Sequence, residues 1–229
     1  LYKVVSADWK CGSSSSWHDS WQIYYEKHMK GFDLFSGIGG FHHAAHDLLG
    51  KDYETVAYCE IDPKARIAYE ATLRGSSPKA FSDVNDITGE FDKSSKTFGN
   101  SNHIKKILPD FDILFAGFPC QPFSSMGLRN GMEDPRGILF NHIEAILKIK
   151  KPRYFILENV RGIKTIDNGA VMKHIMEQLN LLGYQTTSWM LNSENYGVPQ
   201  TRRRIFFVGD LKGGNVNINE ETPPKEVPI

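Results

Sequence analysis

Phe32-Asp-Leu-Phe-Ser-Gly-Ile-Gly-Gly-Phe41 reads as an apolar strand that breaks into a glycine turn and resumes as a helix. Gly37, Gly39 and Gly40 let the backbone bend sharply and let a ligand approach with no side chain in the way. The helix that follows presents unpaired N–H groups and a partial positive charge at its start. The spacing is not the dinucleotide pattern, because no third glycine follows where that pattern needs one. A structural bend would look the same, so the flanking sequence has to decide.

Outward from this stretch, short β-type runs alternate with amphipathic ones. Strands are predicted at 31–35, 55–59, 111–116, 154–158, 184–191 and 205–209, and helices at 40–49, 63–73, 137–150 and 170–182. The alternation predicts an α/β fold, a doubly wound and mostly parallel sheet with helices on both faces. In such sheets ligands bind beyond the carboxyl ends of the strands, so functional residues are expected just after them. The domain is read as residues 31–211. Residues 1–30 read as an N-terminal extension, polar around Cys11–Trp17 but carrying Trp17, Trp21, Tyr24 and Tyr25 as docking groups. Residues 212–229, ending Pro223-Pro-Lys-Glu-Val-Pro-Ile229, read as a linker.

The chain has 229 residues, 40% apolar and 24% charged, enough for one sizeable core. Lys+Arg and Asp+Glu both total 27, so no global charge advertises a polyanion, although a nucleic-acid surface needs only a local basic stripe. Cys11, Cys59 and Cys120 fit neither a disulfide framework nor a zinc knuckle, which points to a reducing, cytosolic setting. No apolar run is long enough to span a bilayer, no signal peptide is visible, and the start at Leu1 reads as a trimmed one. His42, His43 and His46 share one predicted helix without nearby acid or thiol ligands, so no metal is expected there.

The second strand ends Tyr58-Cys-Glu-Ile-Asp62, placing Glu60 about 20 residues after the glycines, where nucleoside-binding folds hold a ribose diol. Ile61 is then free to lie against an adenine face, and Asp83, with Val84 beside it, can receive the adenine amino group. The plain alternative is that these acids cap the following helices, as Asp62 before Pro63 would. With Phe35, Ser36, Gly37, Ile38, Gly39 and Gly40 they describe a site for an adenosine-containing cofactor.

The third strand runs into Gly117-Phe-Pro-Cys-Gln-Pro-Phe-Ser124. An isolated cysteine is usually a small buried hydrophobe, but Cys120 sits between prolines at a strand's carboxyl end. Pro119-Cys120-Gln121 resembles the nucleophile motif of the cytosine-C5 DNA methyltransferases. Asp33–Gly40 resembles that family's first cofactor motif, Arg136-Gly-Ile-Leu-Phe140 a further one, Glu158-Asn-Val160 its acid motif and Gln200-Thr-Arg-Arg-Arg-Ile205 its late arginine motif. The order matches the family's and covers about residues 31 to 210.

The resemblance implies a Rossmann-like class I S-adenosylmethionine-dependent methyltransferase fold. It implies methyl transfer from S-adenosylmethionine, leaving S-adenosylhomocysteine, to carbon-5 of a cytosine flipped out of DNA. Carbon-5 is too weak a nucleophile alone, so the Cys120 thiolate would add at carbon-6. Glu158 would hold N3 and the exocyclic amine, and Arg204, with Arg202 close by, would face the ring's O2. The residue between the two arginines varies in the family, so Arg203 is left out. Pro119 and Leu139 would complete the cofactor contacts. Gln121, Ser124, Ser125 and Arg129, at or in a loop that closes on DNA (124–135), would touch the duplex. The segment 192–200 would position the arginine strand.

Complete family members continue into a target-recognition region and a last cofactor motif, and neither is recognisable here. A subunit of a split enzyme, with a second subunit supplying both, and a piece of a longer protein are both compatible. The split reading predicts weak cofactor binding by this chain alone and an exposed apolar surface. The setting implied is a bacterial or phage restriction-modification system, cytoplasmic and nucleoid-associated. Two alternatives keep the fold: the family's tRNA-methylating branch, and a non-catalytic regulator, against which the presence of Cys120, Glu158, Arg202 and Arg204 speaks.

Overall fold

The computed structural model describes residues 28–73, 75–92, 97–98, 101–118 and 138–213. Seven strands form one sheet: β1 (Met29–Leu34), β2 (Tyr53–Cys59), β3 (Lys79–Phe81), β4 (Ile113–Gly117), β5 (Tyr154–Val160), β6 (Gln185–Asn192) and β7 (Arg203–Asp210). Their spatial order is β3-β2-β1-β4-β5-β7-β6. The first five run parallel, and β7 is antiparallel to both of its neighbours. The order reverses between β1 and β4, which opens a crevice at their carboxyl ends, the usual ligand site of such sheets.

The sequence explains which strands are central. β4 (Ile-Leu-Phe-Ala-Gly) and the first half of β5 (Tyr-Phe-Ile-Leu) are continuous apolar runs, as strands covered on both faces must be. β6 (Gln-Thr-Thr-Ser-Trp-Met-Leu-Asn) mixes polar and apolar residues, is half-buried along its length and lies at the edge. Helices α1 (Gly40–Leu49) and α2 (Pro63–Glu70) cover one face, where Phe41 stacks on Phe115 and Tyr69 on Tyr58. The other face packs against α3 (Asn85–Thr88), α4 (Ser101–Ile107), α5 (Ile138–Lys150) and α6 (Ala170–Leu181). There Ile87, Ile104, Ile143, Leu147, Ile175 and Leu179 meet Leu34, Leu114, Leu157 and Phe207 in one core.

The doubly wound, mostly parallel sheet expected from the alternation is present, with three differences. β1 begins at Met29, inside the stretch (1–30) read as an extension, and ends at Leu34 because Phe35 turns to φ 57°. β7 starts at Arg203 rather than Ile205, so Arg203 and Arg204 belong to a strand, with Arg202 just before it. β3, α3 and α4 were not foreseen: at 3, 4 and 7 residues they are too short to display a period. Residues 1–27 and 214–229, and with them most of the expected extension and linker, lie outside the described residues.

Gly209 in β7 faces the Phe155 ring so closely that a Cβ there would lie 2.2 Å from a ring carbon. Phe155 is fully buried and cannot move aside. Gly209→Ala is therefore expected to cost about 1–3 kcal/mol of stability by overpacking. Gly162→Ala, whose nearest neighbour would be at 3.9 Å, should cost far less. Equal urea midpoints for the two variants would contradict this packing.

Candidate active site

The glycine turn after β1 is strained and pinned. Phe35, Gly37 and Gly39 all have positive φ (57°, 54° and 94°). Ser36 N–H donates to the Cys59 carbonyl (3.0 Å), tying the turn to the end of β2. The Glu60 carboxylate then accepts from two backbone amides, Gly37 N–H at 2.7 Å and Asp62 N–H at 2.8 Å. Glu60 thus has a structural task that spacing alone does not reveal, while each oxygen keeps a second lone pair for a ligand hydroxyl.

Around this turn the backbone is open. A Cβ on Gly37 or Gly40 would meet no atom within 4 Å. Ile38 (68% exposed) and Ile61 (72%) hold aliphatic side chains in solvent beside the turn and after β2. Asp83 uses one oxygen to accept from Asn85 N–H (2.9 Å), the first amide of α3, and Val84 beside it is buried. Asp62 accepts from Lys64 N–H (2.9 Å) ahead of Pro63 and is a plain helix cap. Bare backbone, a carboxylate at the end of β2 and an exposed aliphatic surface suit an adenosine-type cofactor.

Beneath the turn lies a cluster of buried polar groups. Asp33 is fully buried, and among the described residues its oxygens, the Ser36 hydroxyl and the Tyr69 hydroxyl make no hydrogen bond of ordinary geometry, although the Tyr69 hydroxyl and the His42 backbone lie near the carboxylate. Burial pushes the Asp33 carboxyl well above the usual carboxylate range; the nearby His42 backbone and Tyr69 hydroxyl oppose this, and the Glu60 charge adds to it. The Tyr69 ring lies 3.1 Å from where a Gly39 Cβ would sit, so Gly39 is required by space as well as by φ. His42 is buried with Nδ1 2.8 Å from the Thr55 hydroxyl, and the His46 ring packs edge-on to Tyr53.

The second half of the site lies across the crevice. Arg204 Nε is 2.7 Å from Glu158 Oε1, both side chains 22% exposed. The other Glu158 oxygen faces Gly117 at the end of β4, 3.5 Å from where a Cβ would be. The neighbouring Asn159, missed in the sequence, points to the opposite face. Its Nδ2 donates to the Phe118 carbonyl (3.1 Å), and its Oδ1 accepts from Val160 N–H (2.8 Å). Phe118 is the residue before Pro119-Cys120, so Asn159 orients the backbone leaving β4. Only its place beside Glu158 could have drawn attention to it.

Arg202 is exposed just before β7, and Arg203 lies on the face opposite Arg204 by the two-residue alternation. The loop between β6 and β7 is closed by Ser193 N–H to the Arg202 carbonyl (3.1 Å), by Thr201 to Glu194 and by Gly197 at φ 78°. It leads directly into β7 and its arginines. Leu139 sits in the first turn of α5, half-buried against the main core. Pro119, Cys120, Gln121, Ser124, Ser125 and Arg129 lie outside the described residues. Among the described residues no group of three metal-ligating side chains forms.

The family model described as C-5 cytosine-specific DNA methylase matches residues 29–229. The chain is 43% identical over 185 residues to the type II methyltransferase M.HaeII of Haemophilus aegyptius, covering 81% of this chain and 51% of that protein. It is 42% identical over 188 residues to M.HpaII of Haemophilus parainfluenzae, covering 81% and 47%. A putative DNA modification methyltransferase encoded within an E. coli prophage superposes with a TM-score of 0.64 at 24% identity, over 88% of this chain and 52% of that one, and shares the Rossmann-like fold. The chain spans about half the length of the curated relatives it matches.

Two measurements test this geometry. Unfolded Asp33 loses its proton near pH 4, whereas the folded residue keeps it to a much higher pH. Its contribution is therefore complete below about pH 4 and declines as pH rises toward the folded value. Asp33→Asn should remove that decline, and urea midpoints that fall with pH as steeply as the parent's would count against it. Asn159→Ala removes both bonds, to the Phe118 carbonyl and from the Val160 amide, and should cost about 1–3 kcal/mol; a loss below about 0.5 kcal/mol would show that neither bond matters.

Proposed function

The chain belongs to the C-5 cytosine-specific DNA methylases, and from that premise we propose that it methylates carbon-5 of a cytosine flipped out of double-stranded DNA. The observation that carries the reading is the Glu158–Arg204 pair beside the end of β4, from which the chain runs directly into Pro119-Cys120. S-adenosylmethionine, when bound, supplies the methyl group as an electrophilic sulfonium. Phe35 to Gly40 would hold it along the open turn, with Glu60 on the ribose diol, Ile61 on the adenine face, Asp83 on the amino group and Val84, Pro119 and Leu139 enclosing it.

Cys120, as thiolate, adds to carbon-6 of cytosine and makes carbon-5 nucleophilic. Glu158 holds N3 and the exocyclic amine of the flipped base, which raises the electrophilicity of carbon-6. Arg204 commits Nε to Glu158 and one terminal nitrogen to the Arg203 carbonyl (3.0 Å). Its other N–H groups remain to face the cytosine O2, and Arg202 adds positive charge nearby. Departure of the carbon-5 proton and of the Cys120 thiolate restores the aromatic ring. Gln121, Ser124, Ser125 and Arg129 contact the duplex around the emptied position.

Sequence recognition and the rest of the cofactor site would come from outside these residues, from a second subunit or from further chain, and the setting is a restriction-modification system in a bacterial cytoplasm. The family and the relatives' names favour DNA over RNA as substrate. The test is transfer of labelled methyl groups to a mixed-sequence duplex containing 5-fluorocytosine, with this chain alone and with its chromosomal neighbours co-expressed. A covalent adduct through Cys120 is expected, and its dependence on a neighbour would identify a second subunit. Cys120→Ser should abolish the adduct and keep cofactor binding, and Glu158→Gln should slow methylation of ordinary DNA by roughly 10²–10⁴-fold. Methylation of tRNA and not of DNA would overturn the assignment.

A further inference from the structure

We propose that His142 is a positioning residue for the adenine end of the cofactor crevice, acting through Thr88 on the wall formed by Asp83 and Val84. The inference rests on the reading of that crevice as an S-adenosylmethionine site. His142 lies on α5 three residues after Leu139, and the two share a helix face. Only 2% of the residue is exposed. Its Nδ1 is 2.6 Å from the Thr88 hydroxyl, which itself lies 3.1 Å from the Val84 carbonyl and 3.2 Å from that of Gly89. Whichever carbonyl takes the hydroxyl proton, the ring nitrogen is then the donor.

The arrangement amounts to a tie between two walls. Leu139 and His142 stand on one helix, and Asp83 and Val84 at the head of the short α3. A four-residue helix cannot hold its own geometry, so the bond from α5, together with the His103 contact to the Asp86 carbonyl and the packing of Ile87, fixes where Val84 and Asp83 stand. The Phe98 ring packs on His142, centroids 4.4 Å apart, and holds the imidazole in place. Burial pushes the His142 pKa down to about 4, with the Asp83 charge opposing, so the ring is neutral at physiological pH. Asp83 is near enough to act on the ring, and the neutral ring does not compete with the adenine amino group for its carboxylate.

Thr88→Val keeps the shape and removes the hydroxyl, His142→Leu removes the donor, and His142→Asn keeps a donor near the Nδ1 position. Binding of S-adenosylhomocysteine and of its inosine counterpart, which lacks the 6-amino group, would be measured by calorimetry, with melting curves to confirm folding. Thr88→Val and His142→Leu should each weaken S-adenosylhomocysteine about tenfold, the net effect of a buried hydrogen bond lost. The double variant should be no weaker than either single one, His142→Asn should stay within about twofold, and the inosine analogue should bind all folded variants alike. Equal weakening of both ligands would mean a general structural role and would overturn the proposal, as would unchanged affinity in folded variants. If the parent chain binds neither ligand, alone or with its neighbours co-expressed, the cofactor reading itself fails and the inference goes with it.

Discussion

An arginine at the start of one strand can meet a glutamate near the end of another only if the two strands run in opposite directions. That antiparallel pairing of β7 with β5 is what the candidate active site depends on. It brings the amino end of β7 to the edge where β1, β4 and β5 terminate. In an all-parallel sheet Arg204 would sit one strand length away, about 20 Å, and Glu158 would be left without its cation. The loop from Ser193 to Arg202, closed on itself by hydrogen bonds and by Gly197, makes the reversal possible.

The cofactor wall shows how strain and its relief are placed together. Phe35 in the left-handed region costs about 1–2 kcal/mol. Two backbone N–H bonds to the Glu60 carboxylate, each worth about 1.5–3 kcal/mol, outweigh that cost. The carboxylate proposed to hold a ribose is thus also the group that keeps the turn in shape. A loop with bare backbone has few contacts of its own, so its geometry must be fixed from outside. Asn159 does the same for the backbone leaving β4, and His142 for the wall around Asp83.

Much of this was legible in the amino-acid order. The apolar runs of β4 and β5, the glycine turn before α1 and the carboxylate after β2 are local signals, since a strand or turn is recognised from residues that touch along the chain. The resemblance of five short motifs then pointed to the chemistry. What escaped was short or distant. β3, α3 and α4 are too brief to show a period, and the Arg203–Arg204 start of β7 was hidden because charged residues do not look like a strand.

Sequence by itself determined the α/β class, the turn that can admit a ligand, the candidate nucleophile at Cys120, and the acid and arginines by resemblance. Tertiary structure alone decided that Glu158 pairs with Arg204 while Arg203 turns away, that Glu60 is bound by two amides, and that Asn159 and His142 support the walls. The physical reason is range. Periodicity reports which face of its own element a residue occupies, whereas its partner is chosen by strand order and direction. Those follow from how whole faces are buried, across separations of 41 residues for Asn159 and Phe118 and 54 for Thr88 and His142.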